Sequence, residues 1–159
     1  MSITITELRT PWLDLMETAG MVYLSTIDEA GFPDTRAMYN LRRKVQFPSL
    51  AHLFVGHEED LLIYLGANTS SRKIRHIQAN PRVAVYYCDS KLFHGLLLQG
   101  NAEPVEDPSI KAALWQPGWE RYYPGGPEDP DYAVLRLLPT RAKGWWDNKA
   151  FDVNLGQNP

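Results

Sequence analysis

The stretch NTSSRKIRHIQANP, residues 68–81, has the pattern of a short helix whose basic residues stand at an unfavourable end. Ser70 or Ser71 can cap the helix, two isoleucines three residues apart mark an apolar face, and the Asn-Pro pair ends it. The first turn of a helix carries partial positive charge and therefore favours acidic side chains. Arg72 and Lys73 occupy that turn instead, so the pattern indicates that something compensates for their charge.

Two interpretations fit this basic helix start. In the first, Ser71 caps the helix and the two cations are merely solvated. In the second, free backbone N–H groups, the serine hydroxyl and the cations of Arg72 and Lys73 bind a phosphate. Each hydrogen bond to a charged group contributes about 1.5–3 kcal/mol, against a penalty of about a few tenths of a kcal/mol for a misplaced charge. An anion would therefore outweigh the local cost.

Composition indicates an ordinary globular chain. It has 159 residues and 44% hydrophobic side chains, which predicts a single domain over residues 1–159. The formal charge of -3 argues against a surface that binds nucleic acid or an anionic membrane. Cys88 is the only cysteine, which excludes an intrachain disulfide. With no apolar run of membrane-spanning length and no signal-peptide pattern, we expect a cytoplasmic protein.

The order of elements predicts a mainly β fold. A helix is expected at about residues 10–19, with Thr10 as its cap and Pro11 at its first position, and a barrel at about 21–146. Residues 147–159 are expected to form a tail. The strand patterns, most of them joined by short turns, are MVYLSTI, TRAMYNLR, AHLFV, LLIYLG, RVAVYYC, FHGLLLQGNAEPVE, YAVLRLLP and RAKGWW. We predict an antiparallel barrel of six or seven strands with helices packed outside.

Arg36 is a second candidate binding residue. It shares one face of its predicted strand with Met38. The side chain either lies at an exposed strand edge or points into a site and pairs with an anion; the strand pattern alone is compatible with both.

Aromatic residues surround a loop rich in proline and glycine, at about residues 116–131. Packing or a subunit interface is favoured over a stacking platform for a planar ligand. The four histidines show no spacing typical of a metal site. The chain also lacks the motifs of common nucleophilic enzymes.

Four segments together carry a family resemblance: GMVYLSTIDEAGFPDTRAM, LLIYLGANTSSRKIRHIQANPRVAVYY, GLLLQGNAEPVED and LLPTRAKGWW. From about residue 19 to 146 the chain resembles the split barrels that bind flavin mononucleotide (FMN) and are related to pyridoxamine 5'-phosphate oxidase. The insertion LWQPGWERYYPGGPEDPDYAVLRL is similar to that of the general stress protein 26 group. The resemblance implies a six-stranded antiparallel split barrel and a homodimer with two FMN sites at the subunit interface.

The resemblance also implies which residues bind the cofactor. Matched by position, Ser71, Arg72 and Lys73 correspond to the SRK that holds the phosphate in the family. Arg36 corresponds to a strand arginine near the flavin. Gly66 and Ala67 match a backbone stretch near the ring, and Trp145 matches an aromatic residue that approaches it. The implied cofactor-binding residues are Arg36, Met38, Gly66, Ala67, Ser71, Arg72, Lys73 and Trp145.

Departures from the oxidase concern its substrate. Leu41 stands where the oxidase has a lysine, Gly95 stands where it has a glutamine, and the end of the chain lacks its arginine–histidine segment. FMN binding is therefore better supported than oxidation of a vitamin B6 compound. We expect a flavoprotein that exchanges electrons with an unidentified small molecule or binds FMN without turnover. The alternative is a non-enzymatic protein that binds the deazaflavin F420 or haem, with His94 or His57 as the axial ligand.

Overall fold

The computed structural model describes residues 4–156 of the chain. Three α-helices and eight β-strands make up its regular structure, together with three short 3-10 segments. In chain order they are α1 Ile5–Thr18, β1 Met21–Ile27, β2 Pro33–Tyr39, β3 Ile63–Asn68, α2 Arg72–Ala79, β4 Arg82–Asp89, β5 His94–Pro104, α3 Pro108–Leu114, β6 Tyr132–Leu137, β7 Arg141–Trp146 and β8 Lys149–Asn154.

Six strands form one curved antiparallel path in the order β2-β1-β4-β5-β6-β3. This confirms the predicted split barrel. Helix α1 packs against β4 and α2 against β1, so both helices pack on the sheet. Among residues 4–156, no helix is long and apolar enough to span a membrane.

Strand β5 divides the barrel. Its first half pairs with β7 over Gly95–Gln99, and its last three residues, Ala102–Pro104, pair with β6. Gly100 lies between these two partners. A Cβ atom there would approach the Leu137 side chain at 2.9 Å and the Leu138 carbonyl at 3.0 Å. Glycine therefore permits the close passage of backbone by which β5 changes its neighbour.

Helix α1 begins earlier than the sequence predicted. Its cap is Thr4, which forms a capping box with Glu7, rather than Thr10. Pro11 lies inside the helix and removes one backbone hydrogen bond. The helix nevertheless continues because its apolar face, which includes the fully buried Trp12 and Met16, packs into the barrel core. Tertiary packing outweighs the local proline signal.

The prediction of a tail at 147–159 is wrong for residues 149–154. Residues 149–154 form β8, which pairs along all of β7, and residues 157–159 lie outside the described chain. Phe151 is buried, and its ring lies 5.1 Å from that of Trp12. A polar, mixed composition concealed this strand because only alternate residues face the core.

The predicted strand AHLFV is also wrong. Pro48–Phe54 form a 3-10 helix that buries Leu50 and Phe54. These two residues are four apart, which is a helical rather than an alternating spacing. The segment belongs to a second apolar cluster that also contains Tyr64 and Trp119.

Candidate functional site

A cleft of about 310 Å³ opens between the barrel strands and the loop that precedes β6. Four of the predicted cofactor residues line this cleft: Met38, Gly66, Ala67 and Lys73. Because β2 alternates its side chains, Met38 points inward on the same face as Arg36. The structure thus gathers residues from β2, β3 and α2 at one place.

The start of α2 has the features of an anion-binding site. Ser71 has the backbone conformation of an N-cap, with φ -76° and ψ 154°, but its side chain makes no capping bond. Its hydroxyl oxygen is buried and has no hydrogen-bond partner among the described residues. The first N–H groups of a helix also have no partners inside it. Polar groups of this kind are costly to bury without a hydrogen-bond partner, and a bound anion would be one.

Arg36 lies on β2, which is an edge strand, but its side chain is partly buried and held by hydrogen bonds. Its guanidinium donates hydrogen bonds to the Leu24 carbonyl at 3.2 Å and to the Thr26 hydroxyl at 2.9 Å. It also forms an ion pair with Asp34 at 3.1 Å. Burial lowers the pKa of Arg36, and the charge of Asp34 opposes that effect. These bonds fix the guanidinium close to the start of α2.

Asp34 partly compensates the basic helix start. Besides Arg36, its carboxylate lies 3.7 Å from the Arg72 guanidinium and 4.0 Å from Nδ1 of His76. The same His76 nitrogen is 2.9 Å from the Thr26 hydroxyl. Sequence reasoning missed Asp34, Thr26 and His76. A signal for Asp34 existed, since it stands two residues before Arg36 and therefore on the same strand face.

Lys73 remains the least compensated cation in the cleft. Its pKa is lowered chiefly by burial and secondly by the charge of Arg36. A lysine in such surroundings gains most from an added negative charge. The site therefore combines one carboxylate with the cations of Arg36, Arg72 and Lys73, which leaves an excess of positive charge.

The opposite wall of the cleft is aromatic. Trp119 is buried and its ring lies behind Gly66, at 3.7 Å from where a Cβ atom would be. It stacks against Tyr39 at 6.3 Å between ring centroids. The hydroxyls of Tyr39 and the exposed Tyr122 are 3.2 Å apart at the cleft edge. The loop aromatics thus pack together, as favoured from the sequence, but Trp119, Tyr122 and Tyr123 also line the cleft.

Trp145 is not brought to the cleft within one chain. It lies on β7 opposite Gly95 and is partly exposed. The outward face of the same sheet carries the cross-strand pair Tyr23 and Tyr86, also partly exposed. Leu97 pairs with Tyr86 on that face. An apolar patch of large side chains therefore spans β1, β4, β5 and β7.

The two histidines considered as haem ligands lie outside the cleft. His94 stacks on Trp146 at 4.0 Å and contacts Asp147 at 2.9 Å. His57 contacts Asp60 at 2.8 Å. Within residues 4–156, no group of three or more His, Cys, Asp or Glu side chains could hold a metal ion. Neither histidine lines the cleft, so neither is placed as an axial ligand to a haem there.

Comparison with known proteins agrees with this architecture. The pyridoxamine 5'-phosphate oxidase family model matches residues 11–146. A Clostridium acetobutylicum protein related to general stress protein 26 is 26% identical, with 95% of this chain and 96% of that chain covered and a TM-score of 0.75. General stress protein 26 from Bacillus anthracis is 21% identical, with 92% and 98% covered and a TM-score of 0.68. A structure described as F420 reductase is 22% identical, with 81% and 93% covered and a TM-score of 0.53.

These similarities differ in what they show. The structures below 25% identity show the fold alone. No curated protein sequence matches the chain significantly. The family model, however, spans most of the chain and includes the strand arginine, the basic helix start and the late tryptophan pair. The resemblance inferred from the sequence is confirmed, and the chain belongs to the pyridoxamine 5'-phosphate oxidase family.

Proposed function

We propose that this protein binds FMN, with the phosphate at the start of α2 and the ring in the adjoining cleft. The observation that carries the proposal is the buried, unpartnered hydroxyl of Ser71 beside Arg72 and Lys73. Arg36 supplies a further positive charge nearby. Helix starts bind phosphate through free N–H groups and the helix dipole, so the surroundings of Ser71 fit a phosphate monoester.

The remaining predicted residues suit the ring of the same cofactor. Met38 and the backbone of Gly66 and Ala67 line the cleft, where Trp119 and Tyr39 add aromatic surface. Ligand sites of this size are mostly apolar with a few placed polar groups. Bound FMN supplies hydride or electron transfer by itself, so the chain need only bind, orient and shield it.

A second copy of the chain would complete the site. The outward patch around Tyr23, Tyr86 and Trp145 has the exposed apolar character of an interface. Trp145 does not line the cleft of its own chain, so as a cofactor-binding residue it would act on the cleft of a partner. We therefore propose a homodimer in the cytoplasm, which transfers electrons between FMN and a small molecule.

The proposal is tested by the colour and ligand of the purified protein. Expressed without added cofactor, the protein should show flavin absorption bands, or should quench FMN fluorescence when titrated. Mass spectrometry of the released ligand distinguishes FMN from F420, which would use a similar basic pocket. A colourless protein that also leaves FMN unchanged in titration contradicts the proposal.

The affinity for FMN should depend on the protonation of Lys73. A phosphate binds the charged ammonium of Lys73 better than the neutral amine. The FMN affinity should therefore be highest below the pKa of Lys73 in the free protein and should fall as the pH rises through that pKa. Because burial lowers that pKa, the fall should begin below the ordinary lysine value of 10.5. Fluorescence titrations with FMN at a series of alkaline pH values measure this fall in affinity.

Two controls isolate the contribution of Lys73. Riboflavin has the same ring without the phosphate, so its pH profile reports ring ionisation alone. Lys73→Arg keeps its charge throughout, and its FMN affinity should persist to higher pH. Identical pH profiles for Lys73→Arg and the unchanged protein would refute the assignment.

A further inference from the structure

The loop before β6 is tied to the segment that leads into α2. The backbone N–H of Thr69 donates to the Asp131 carbonyl at 2.8 Å. The carboxylate of Asp131 accepts from the Ser70 N–H at 2.8 Å and from the Asn68 side-chain amide at 2.7 Å. The Thr69 hydroxyl adds a bond to the Pro130 carbonyl at 3.2 Å. All three residues that precede Ser71 are therefore held by the end of this loop.

These bonds control the place where the proposed phosphate binds. Ser71 follows directly, and its N–H donates to the Asn68 carbonyl at 3.0 Å. Thr69 and Ser70 are exposed, so few packing contacts fix their backbone. The position of the Ser71 hydroxyl and the first-turn N–H groups consequently depends on how Asn68 and Ser70 are anchored.

Asp131 is suited to act as that anchor. The Asn68 amide and, next, the Ser70 N–H lower the pKa of Asp131, which keeps its carboxylate ionised. Hydrogen bonds to an ionised acceptor are shorter and stronger than neutral ones. The backbone N–H of Asp131 is itself held by the Asp129 carboxylate at 2.8 Å, and Asp129 also accepts from the Gly125 N–H at 2.7 Å.

We infer that Asp131 is a positioning residue of the phosphate site, and that the insertion at about residues 116–131 is a working part of the cofactor site. One end of the insertion places Trp119 and Tyr122 along the cleft, and the other fixes the approach to Ser71 through Asp131. This inference rests on the proposed function, because it presupposes that the anion is the phosphate of FMN.

The test compares FMN with riboflavin, since only FMN reaches the phosphate site. Asp131→Ala should lower the affinity for FMN by about tenfold or more, the factor of one hydrogen bond to a charged group. The affinity for riboflavin should stay nearly constant, so the ratio of the two affinities falls. A merely structural role would weaken both ligands together.

Two further variants separate geometry from charge. Asp131→Asn keeps an oxygen for the Ser70 N–H, and Asn68 can turn its amide to match, so the affinity ratio should recover. Asp131→Glu keeps the charge but cannot place its oxygens at the same points, so the ratio should fall as with alanine. If Asp131→Ala does not fold, the affinity ratios of Asp131→Asn and Asp131→Glu are compared instead. A higher ratio in Asp131→Asn supports the inference, and equal ratios contradict it.

Asp107→Ala is the matched control. Asp107 also accepts a backbone hydrogen bond, from the Ser109 N–H at 2.8 Å, but it caps α3 instead. Its removal should leave the affinity ratio unchanged. An unchanged ratio in Asp131→Ala, with FMN still preferred by the unaltered protein, overturns this inference alone. An unaltered protein that binds neither flavin overturns the proposed function instead.

Discussion

Replacing Arg72 and Lys73 together by alanine is expected to lower FMN affinity by about 3 kcal/mol or more, which is roughly a hundredfold. Each side chain can make a charge-assisted hydrogen bond to the phosphate, and Lys73 does so from a half-buried position. The fold should be spared. Cations in a first turn oppose the helix dipole, so their removal leaves the free energy of unfolding equal or slightly higher.

Affinity by fluorescence titration and stability by urea unfolding together check this result. Arg75→Ala with Arg82→Ala is the matched control, because both arginines are exposed and lie beyond the first three residues of α2. That control should retain FMN affinity, and riboflavin affinity should hardly change in either double variant. If the Arg72 and Lys73 double variant bound FMN as tightly as the unaltered protein, the assignment of the phosphate to this site would be wrong.

Phe151→Ala is expected to lower the free energy of unfolding by about 3–5 kcal/mol, as for other buried phenylalanines. Its side chain is only 8% exposed and lies against Trp12. The ring also occupies the space over Gly144, where a Cβ atom would meet it at 2.8 Å. The substitution would open a cavity between β8, β7 and α1. Thermal or urea unfolding followed by circular dichroism measures the loss.

The neighbouring residue provides the control. Asp152 lies on the opposite face of β8 and pairs at the surface with Arg141. Exposed pairs of this kind contribute at most about 1 kcal/mol, so Asp152→Ala should change little. If Phe151→Ala were as stable as Asp152→Ala, β8 would not belong to the core and the original expectation of a tail would stand.

Much of the fold follows from local patterns in the sequence. Strand β1 alternates Val22, Leu24 and Thr26 toward the interior, and such an alternation specifies one buried face without further information. The Asp-Pro pair at 107–108 is also a local signal of a helix start, and Asp107 caps α3. These features depend on neighbours within a few residues, so the sequence reveals them.

The errors arose where distant contacts outweigh a local signal. Pro11 is a strong marker of a helix start, yet α1 runs through it because Trp12 is buried by the barrel. The strand β8 has few apolar residues and owes its place to pairing with β7 and to Phe151. Neither contact can be inferred from sequence spacing.

The candidate site also contains features that the sequence shows and contacts that only the fold creates. Ser71, Arg72 and Lys73 stand together in the sequence, and their unfavourable charge gave a local signal. Asp34 meets Arg72 only after β2 and α2 have packed, and Asp131 reaches Ser70 only through the pairing of β3 with β6. The contacts of these two carboxylates with Arg72 and Ser70 therefore follow from tertiary structure, whereas the cluster at residues 71–73 is visible in the sequence.

The most direct test of the central claim is a crystal structure of the FMN-saturated protein. We predict density for the phosphate within hydrogen-bonding distance of the Ser71 hydroxyl and the first-turn N–H groups, with Lys73 and Arg36 turned toward it. Water alone at Ser71, with FMN bound elsewhere or nowhere, would contradict the account.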